Sequence, residues 1–310
     1  MSRLASGPWG AASTADSSTA ASAPICPPAP TGQSGPTSFR LPAGAVDTHA
    51  HVIGGPPEHP WVPGRGYSPP PATAEAYLAM LDAVGLHHGV LVQVSVHGLD
   101  NRLMLETLAA HRGRLRGVVA PALGLGDAAY QAMKDMGTVG LRINTLSGVG
   151  GCRLDQLAEY GALARDWGWH IEFLLDARAL PELATDIGRL PVPVVIDHMG
   201  HLPATAGVAD PGFRRLLALV RDGAWVKISG AYRLSAETAP PYADTDAFAQ
   251  ALVEAAPDRC VWGSDWPHVA LWHRMPTVGQ LLDVLAAWVP DPTLRNRILI
   301  DNPQRLYGFA

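Results

Sequence analysis

The chain has 310 residues, of which 47% are hydrophobic and 16% charged, and its formal net charge is −5. This apolar content excludes a wholly disordered protein, and the acidic balance argues against a nucleic-acid-binding protein, which needs a basic face. No apolar run approaches the roughly 20 residues that span a bilayer, so no membrane partner is expected. The first predicted element is a disordered tail over residues 1–40, which are dominated by Ala, Ser, Thr, Pro and Gly without a hydrophobic period.

From residue 41 onward, short apolar runs alternate with amphipathic stretches. The predicted strands, in chain order, are Ala45–His51, Gly89–His97, Leu115–Ala122, Val139–Asn144, His170–Asp176, Val194–Gly200, Ala224–Gly230 and Cys260–Asp265. The predicted helices are Thr73–Leu86, Arg102–His111, Ala128–Met136, Leu154–Trp167, Ala179–Gly188, Phe213–Asp222, Ala247–Ala256 and Val278–Ala287, with a last one near Pro292–Leu299.

Eight strand–helix units predict an α/β protein in which residues 41–310 form a single (β/α)8 TIM barrel. The continuous apolar strands favour a parallel sheet covered on both faces. The alternative is a doubly wound open sheet. It would carry an early glycine-rich phosphate loop, but no G-x-G-x-x-G follows the first strand. The three cysteines lack metal-type spacing, which indicates a reduced, cytoplasmic protein.

Polar residues follow the strands repeatedly, at the end of the barrel where catalytic groups lie. The first strand ends with His49 and His51, which alternation places on one side. Two such imidazoles can bind a metal or hydrogen-bond a carbonyl, although one could simply cap the strand. Further polar candidates at strand ends are His97, Arg142, Asn144, His198, His201, Arg233, Asp265 and His268. Each alone could be a satisfied buried group, but six such strand ends are difficult to explain as packing.

The set of His49, His51, His198 and Asp265 resembles the amidohydrolase superfamily. Within it, the chain is similar to the 2-pyrone-4,6-dicarboxylate lactonase group of predicted metal-dependent hydrolases with a TIM-barrel fold. The segments that carry the resemblance are Val46–Val52, Val92–Asn101, Gly140–Asn144, Val195–Gly200, Val261–His268 and Asp301–Tyr307. Sugar-lactone hydrolases and galactarolactone isomerases share much of this pattern.

The resemblance implies a role for each of these residues. Asp265 would be the general base on water, and His49, His51 and His198 would polarise the lactone carbonyl, directly or through a metal. The residues expected to bind substrate are His97, Arg142, Arg233, His201, Asn144 and His268. Either no cofactor is required, or one divalent metal, zinc or manganese, binds His49, His51, His198 and Asp265. A binuclear site is disfavoured, because strand four ends with Arg142 and Asn144 rather than lysine.

Two departures from the lactonase pattern concern the substrate. The dicarboxylate lactonase has an arginine where this chain has His201, and another shortly after the fourth strand, where this chain has Thr145–Gly148. Histidine does not replace the fixed fork that an arginine offers a carboxylate. A substrate with fewer carboxylates, or with a different anion, is therefore expected.

Together these features predict a hydrolase that opens a small anionic lactone from aromatic ring cleavage or sugar-acid catabolism. The alternatives are a lactone isomerase of the galactarolactone type, a metal-dependent decarboxylase of the same superfamily, and a barrel that retains only a binding role. The expected partner is the small-molecule lactone, with no nucleic acid and no membrane. A homo-oligomer is compatible with the sequence.

Overall fold

The computed structural model describes residues 23–309. Its centre is a sheet of eight parallel strands that follow one another in chain order. The strands are β1 (Val46–Ala50), β2 (His88–Val92), β3 (Leu115–Val119), β4 (Thr138–Asn144), β5 (His170–Leu174), β6 (Val194–Ile196), β7 (Trp225–Lys227) and β8 (Cys260–Val261). These strands are almost wholly buried, as expected for a sheet covered by helices.

The residues that follow β8 close the sheet on β1. The Thr48 N–H donates to the Trp262 carbonyl at 3.1 Å, and the Asp265 N–H donates to the His49 carbonyl at 2.8 Å. One step further on, the His51 N–H donates to the Trp266 carbonyl, also at 2.8 Å. This ladder confirms the predicted (β/α)8 barrel and brings Asp265 directly beside the histidines of β1.

Helices cover the outside of the barrel, and one short helix, Ala231–Leu234, lies at its mouth. They are α1 (Ala74–Val84), α2 (Arg102–Ala110), α3 (Asp127–Asp135), α4 (Leu157–Trp167), α5 (Leu180–Gly188), α6 (Pro211–Arg221), α7 (Ala231–Leu234), α8 (Asp246–Ala255), α9 (Val278–Trp288), α10 (Pro292–Asn296) and α11 (Asn302–Tyr307). Side-chain caps define several starts: Asp210 accepts from the backbone of α6, and Thr277 forms a capping box with Gln280 on α9. The predicted last helix is interrupted by a π-helical turn, Arg297–Asp301.

Seven of the eight strands end earlier than the hydrophobic pattern predicts, and only β4 ends where predicted, at Asn144. The sixth was expected to reach Gly200 and the eighth Asp265, but they end at Ile196 and Val261. The seventh, expected to reach Gly230, ends at Lys227. The physical reason is the backbone beyond these ends, which turns left-handed at His198 (φ 47°), Asp265 (φ 59°) and Gly230 (φ 68°). The polar residues after these strands therefore lie on tight turns over the barrel mouth.

The predicted tail differs from the structure in its second half. Residues 1–22 lie outside the described residues, whereas residues 23–40 contact the barrel. The Cys26 N–H donates to the Ser68 carbonyl, and Cys26 is only 3% exposed. Further along, the backbone N–H and hydroxyl groups of Thr37 and Ser38 donate to the Asp283 carboxylate on α9. Because individual hydrogen bonds hold this segment, its sequence has no hydrophobic period, and its composition alone predicts disorder.

The three cysteines, Cys26, Cys152 and Cys260, are free and buried. Within residues 23–309, no helix has both the length and the apolar character needed to cross a membrane.

Candidate active site

Three histidines surround the Asp265 carboxylate at the carboxyl-terminal mouth of the barrel. His49 Nε2 lies 3.8 Å and His51 Nε2 3.5 Å from Asp265 Oδ1, while His198 Nε2 lies 3.7 Å from Oδ2. All four side chains are at most 3% exposed. The structure thus brings together the four residues that the sequence singled out as catalytic or metal-binding candidates.

Each of these imidazoles is held by a contact at its other nitrogen. His51 Nδ1 lies 2.7 Å from the Val92 carbonyl, and His198 Nδ1 lies 2.9 Å from Ser229 Oγ. His49 Nδ1 lies 3.0 Å from Lys227 Nζ. A carbonyl can only accept, so His51 must carry its hydrogen on Nδ1 and present the Nε2 lone pair to the site.

The other Asp265 oxygen is bonded by two neighbours on α7. The Tyr232 hydroxyl donates to Asp265 Oδ2 at 2.7 Å, and Arg233 Nε donates to the same oxygen at 2.5 Å. Burial alone would raise the pKa of Asp265, but the Arg233 guanidinium and the nearby histidines hold it well below its usual range. Asp265 is therefore an ionised carboxylate at neutral pH.

Two of the histidines around this carboxylate are neutral. Burial lowers the pKa of His49 to about 3, with the Lys227 ammonium acting in the same direction. Burial likewise lowers the pKa of His198 to about 3, against the attraction of Asp265. These imidazoles can donate or accept a hydrogen bond, but they add no positive charge to the site.

Two predicted substrate-binding residues on β4 lie in a pocket beside this cluster. Arg142 Nη1 donates to the Gln93 carbonyl at 3.0 Å, and Asn144 Nδ2 donates to Ser95 Oγ at 2.8 Å. Together with Ser147 they line the pocket. Arg142 is buried, and its Nε lies 3.8 Å from Asp197 Oδ2 without a hydrogen-bond partner among residues 23–309.

The remaining predicted residues occupy the loops around the mouth. Arg233 is bonded to Asp265, and its Nη2 donates to the Val269 carbonyl at 3.2 Å. His268 is fully buried, with Nδ1 3.0 Å from the Tyr232 hydroxyl. His97 Nε2 lies 3.2 Å from the Gly54 carbonyl. His201 follows the left-handed turn after β6, and burial lowers its pKa to about 4.

Sequence reasoning missed the charged group beneath the histidines. Lys227 is fully buried, and its Nζ lies 2.7 Å from Glu172 Oε2 and 3.2 Å from Asp197 Oδ1. The available signal was a lysine inside a three-residue buried strand, since a buried ammonium requires partners. Tyr232 was also missed, because its role depends on the turn that follows β7.

The residues of the mouth offer the donors that a divalent cation binds. Two groups have ligand atoms within 4.8 Å of one another, His49 with His51 and Asp265, and His49 with Asp197 and His198. His49 Nε2 is buried without a hydrogen-bond partner among residues 23–309. The first group therefore fits one zinc or manganese ion by donor type.

Known proteins share both sequence and fold with this chain. The family model described as amidohydrolase matches residues 46–309. The 4-sulfomuconolactone hydrolase of Rhizobium radiobacter is 37% identical over 284 residues, which cover 90% of this chain and 95% of that protein. The 2-pyrone-4,6-dicarboxylate hydrolase of Comamonas testosteroni is 38% identical over 280 residues, 87% of this chain and 92% of that protein.

A third relative has a different activity. The D-galactarolactone isomerase of Agrobacterium fabrum is 30% identical over 275 residues, covering 87% of this chain and 93% of that protein. Among solved structures, a probable 2-pyrone-4,6-dicarboxylic acid hydrolase of Acinetobacter baumannii with bound citric acid superimposes with a TM-score of 0.76. It is 28% identical, and the match covers 86% of this chain and all of that one.

Proposed function

We propose that this chain, which belongs to the amidohydrolase family, opens a small anionic lactone by hydrolysis. One observation supports this above the others: Asp265 is held ionised by Arg233 while His49, His51 and His198 face it. Lactone hydrolysis needs a nucleophilic water, a base for its proton and stabilisation of charge on the carbonyl oxygen. The cluster contains a candidate group for each requirement.

Asp265 is the proposed general base. Its Oδ2 is occupied by Tyr232 and Arg233, which leaves Oδ1, on the side of His49 and His51, to take a proton from water. The water oxygen then adds to the lactone carbonyl carbon, and the bond between that carbon and the ring oxygen breaks. The proton on Asp265 passes to the leaving oxygen. The acid that forms ionises, so hydrolysis releases one proton.

His51 and His198 divide the remaining work in this proposal. His51 presents a lone pair at Nε2, because its Nδ1–H is donated to the Val92 carbonyl, and so it can accept a hydrogen bond from the attacking water. His198 can donate from Nε2 to the carbonyl oxygen when Ser229 donates to its Nδ1. Fixed donors in a buried site stabilise developing negative charge without reorganising.

If a divalent ion is bound, we propose that His49, His51 and Asp265 hold it, with His198 beside them. A bound zinc or manganese ion would polarise the carbonyl oxygen and acidify water. In that state the Nε2 lone pair of His51 would bind the ion rather than water, and the proposed role of Asp265 in holding the proton would be kept.

The substrate's anionic group is proposed to bind at Arg142. The guanidinium is fixed on one side by the Gln93 carbonyl and borders a pocket with Asn144 and Ser147. An arginine in such a pocket suits a planar carboxylate or a sulfonate. His97, His201, Arg233 and His268 are proposed to line the rest of the substrate site. Because Arg233 is already paired with Asp265, a substrate with one strong anionic group fits better than a dicarboxylate.

Lactone isomerisation is the second candidate, supported by the relatedness to D-galactarolactone isomerase. In that case a hydroxyl of the substrate, rather than water, would lose its proton to Asp265 and attack the carbonyl. Isomerisation gives no net proton release, which distinguishes the two reactions.

The test is a pH-indicator assay on a panel of 4-sulfomuconolactone, muconolactones, pyrone dicarboxylate, and aldono- and aldarolactones, with and without a chelator. Proton release that disappears in Asp265→Asn supports the hydrolase. Substrate conversion seen by NMR without proton release supports the isomerase instead. Silence in both assays across the panel contradicts lactone chemistry. Loss of activity with the chelator, restored by zinc or manganese, identifies a required metal.

A further inference from the structure

We propose that Lys227 fixes His49 in the tautomer that carries its hydrogen on Nε2, so that His49 faces the site as a hydrogen-bond donor. Lys227 is thus a positioning residue that acts through His49. Only the identity of the acceptor, a lactone carbonyl oxygen, rests on the proposed function. The tautomer itself follows from contacts inside the barrel.

The ammonium of Lys227 is surrounded by three potential acceptors. Its Nζ lies 2.7 Å from Glu172 Oε2, 3.2 Å from Asp197 Oδ1 and 3.0 Å from His49 Nδ1. Lys227, His49 and the two carboxylates are completely buried. An ammonium has three N–H donors and no acceptor, and Lys227 donates hydrogen bonds to Glu172 Oε2 and His49 Nδ1 and forms an ion pair with Asp197.

Two buried carboxylates form ion pairs with Lys227. Glu172 and Asp197 supply two negative charges in contact with one ammonium. Glu172 also contacts His170 Nε2 at 3.2 Å and accepts from the Tyr307 hydroxyl at 3.1 Å. A neutral lysine would leave these carboxylates in the barrel interior with less compensation, which is costly.

Because the Lys227 ammonium can only donate, it determines which His49 nitrogen is the hydrogen-bond acceptor. If Nδ1 carried the hydrogen, that N–H would point toward an ammonium 3.0 Å away, and one ammonium donor would lose its partner. The competing arrangement is donation from Nδ1 to Asp197 Oδ1, which is longer at 3.4 Å. The shorter contact assigns the lone pair to Nδ1 and the hydrogen to Nε2.

His49 and His51 therefore present opposite groups to the same space. His51 donates from Nδ1 to the Val92 carbonyl and offers a lone pair at Nε2. His49 accepts at Nδ1 and offers an N–H at Nε2, which is 3.8 Å from Asp265 Oδ1 and has no hydrogen-bond partner among residues 23–309. An unpaired N–H donor beside the proposed base can donate to the lactone carbonyl oxygen, where negative charge develops when water attacks.

The same contact opposes metal binding at His49. Both possible cation groups include His49. In the group with Asp197 and His198, the Lys227 ammonium already contacts His49 Nδ1 and Asp197 Oδ1 where a cation would sit. In the group with His51 and Asp265, a metal would have to displace the hydrogen from Nε2. Lys227 is thus expected to weaken divalent metal binding.

The first test reads the tautomer of the wild-type protein without using activity. Long-range proton–nitrogen NMR correlation on protein labelled with ¹⁵N-histidine distinguishes Nδ1–H from Nε2–H imidazoles, and His49→Gln identifies the His49 signals. We expect an Nε2–H tautomer. An Nδ1–H tautomer would overturn the inference, whatever the lactone panel shows. An Nε2–H tautomer in a protein inactive on every lactone would leave it standing while the proposed function fails.

The second test removes the ammonium. Lys227→Met should shift His49 to Nδ1–H, lower kcat about tenfold or more with a smaller change in KM, and tighten zinc binding about tenfold, measured by calorimetry. The matched control is Lys134→Met, which removes the exposed lysine of α3 and should change none of these. An unchanged His49 tautomer in folded Lys227→Met would contradict the assignment. If that variant does not fold, the wild-type spectrum still decides.

Discussion

Two buried aspartates lie where β1 meets the residues after β8, and they differ in their neighbours. Asp47 accepts from the Ser264 backbone N–H at 2.7 Å, from the Ser264 hydroxyl at 2.6 Å and from the Tyr77 hydroxyl at 3.1 Å. Asp265 accepts from the Arg233 guanidinium and from Tyr232. The first carboxylate is held by neutral donors, whereas the second has a cation.

This difference gives the two carboxyl groups opposite pKa shifts. Burial raises the pKa of Asp47 to about 6, because its hydrogen bonds only partly offset the loss of water. Burial also acts to raise the pKa of Asp265, but Arg233 and the histidines hold it well below its usual range. Two carboxyl groups that are equally buried therefore have pKa values shifted in opposite directions. Asp47 links β1 to Ser264 after β8, and Asp265 remains ionised beside the three histidines.

The largest expected effect comes from removing the charge of Asp265. Asp265→Asn should fold normally and lose at least about 10²-fold in kcat, the scale of a general base. Steady-state kinetics on a lactone that the wild-type protein hydrolyses, with circular dichroism to check folding, measures this. A well-folded Asn variant with near wild-type turnover would remove Asp265 from the role of base.

The next largest effect separates Asp265 from its cation. In Arg233→Met the pKa of Asp265 should rise, because the guanidinium that lowers it is removed. A base must be deprotonated, so the acidic limb of the kcat/KM profile should move to higher pH. A raised KM with an unmoved acidic limb would instead indicate that Arg233 mainly binds substrate.

Asp47 should show the opposite pH dependence, in stability rather than activity. Its pKa rises from 3.8 to about 6 on folding, so the folded state binds more protons between these values. The contribution of Asp47 to the free energy of unfolding should therefore fall by about 2 kcal/mol from about pH 4.5 to about pH 7. Denaturant unfolding of wild type and Asp47→Asn at both pH values measures it. The stability difference between the two proteins should shrink as pH rises, and a constant difference would refute the raised pKa.

The smallest expected effect concerns one neutral donor. Tyr77→Phe deletes the hydroxyl that donates to Asp47 Oδ2, which still accepts from Ser264. The loss should be about 1 kcal/mol of unfolding free energy, typical of a single hydrogen bond. Kinetic constants should be unchanged, because Tyr77 lies on α1 and not among the residues facing Asp265. A change in kcat would mean that the Asp47 network also positions the catalytic cluster.

The barrel could be predicted from the sequence because each of its strands is a short apolar run between amphipathic helices. Each of the eight predicted strands corresponds to a strand of the structure. Most of their ends could not be predicted: β6, for example, ends two residues before His198, a non-glycine residue with positive φ. Hydrophobic pattern carries no information on such turns. The ordered segment at residues 23–40 was missed for a related reason, because a few side-chain hydrogen bonds hold it.

The candidate site could be predicted for those residues that lie at the carboxyl-terminal ends of the barrel strands. His49 is the last residue but one of β1, and His198 and Asp265 follow β6 and β8, so all three lie at the carboxyl-terminal end of the barrel, where catalytic groups are expected. Lys227 contacts His49 across 178 residues of sequence and Glu172 across 55. Neither contact can be read from local spacing. The hydrogen-bonding state of His49 therefore depends on contacts between residues that are far apart in the sequence.

The left-handed turns at the mouth have a consequence for the evolution and engineering of this protein. Asp265, His198, His201 and His268 have φ values of 59°, 47°, 51° and 64°. A residue with a Cβ is less stable than glycine in this conformation, by about 1–2 kcal/mol. The buried contacts of these side chains, such as that of Asp265 with Arg233 and that of His198 with Ser229, must therefore offset the backbone strain. A variant that loses such a contact keeps the strain without its compensation, so the rim of the barrel should be the part of the molecule least tolerant of substitution.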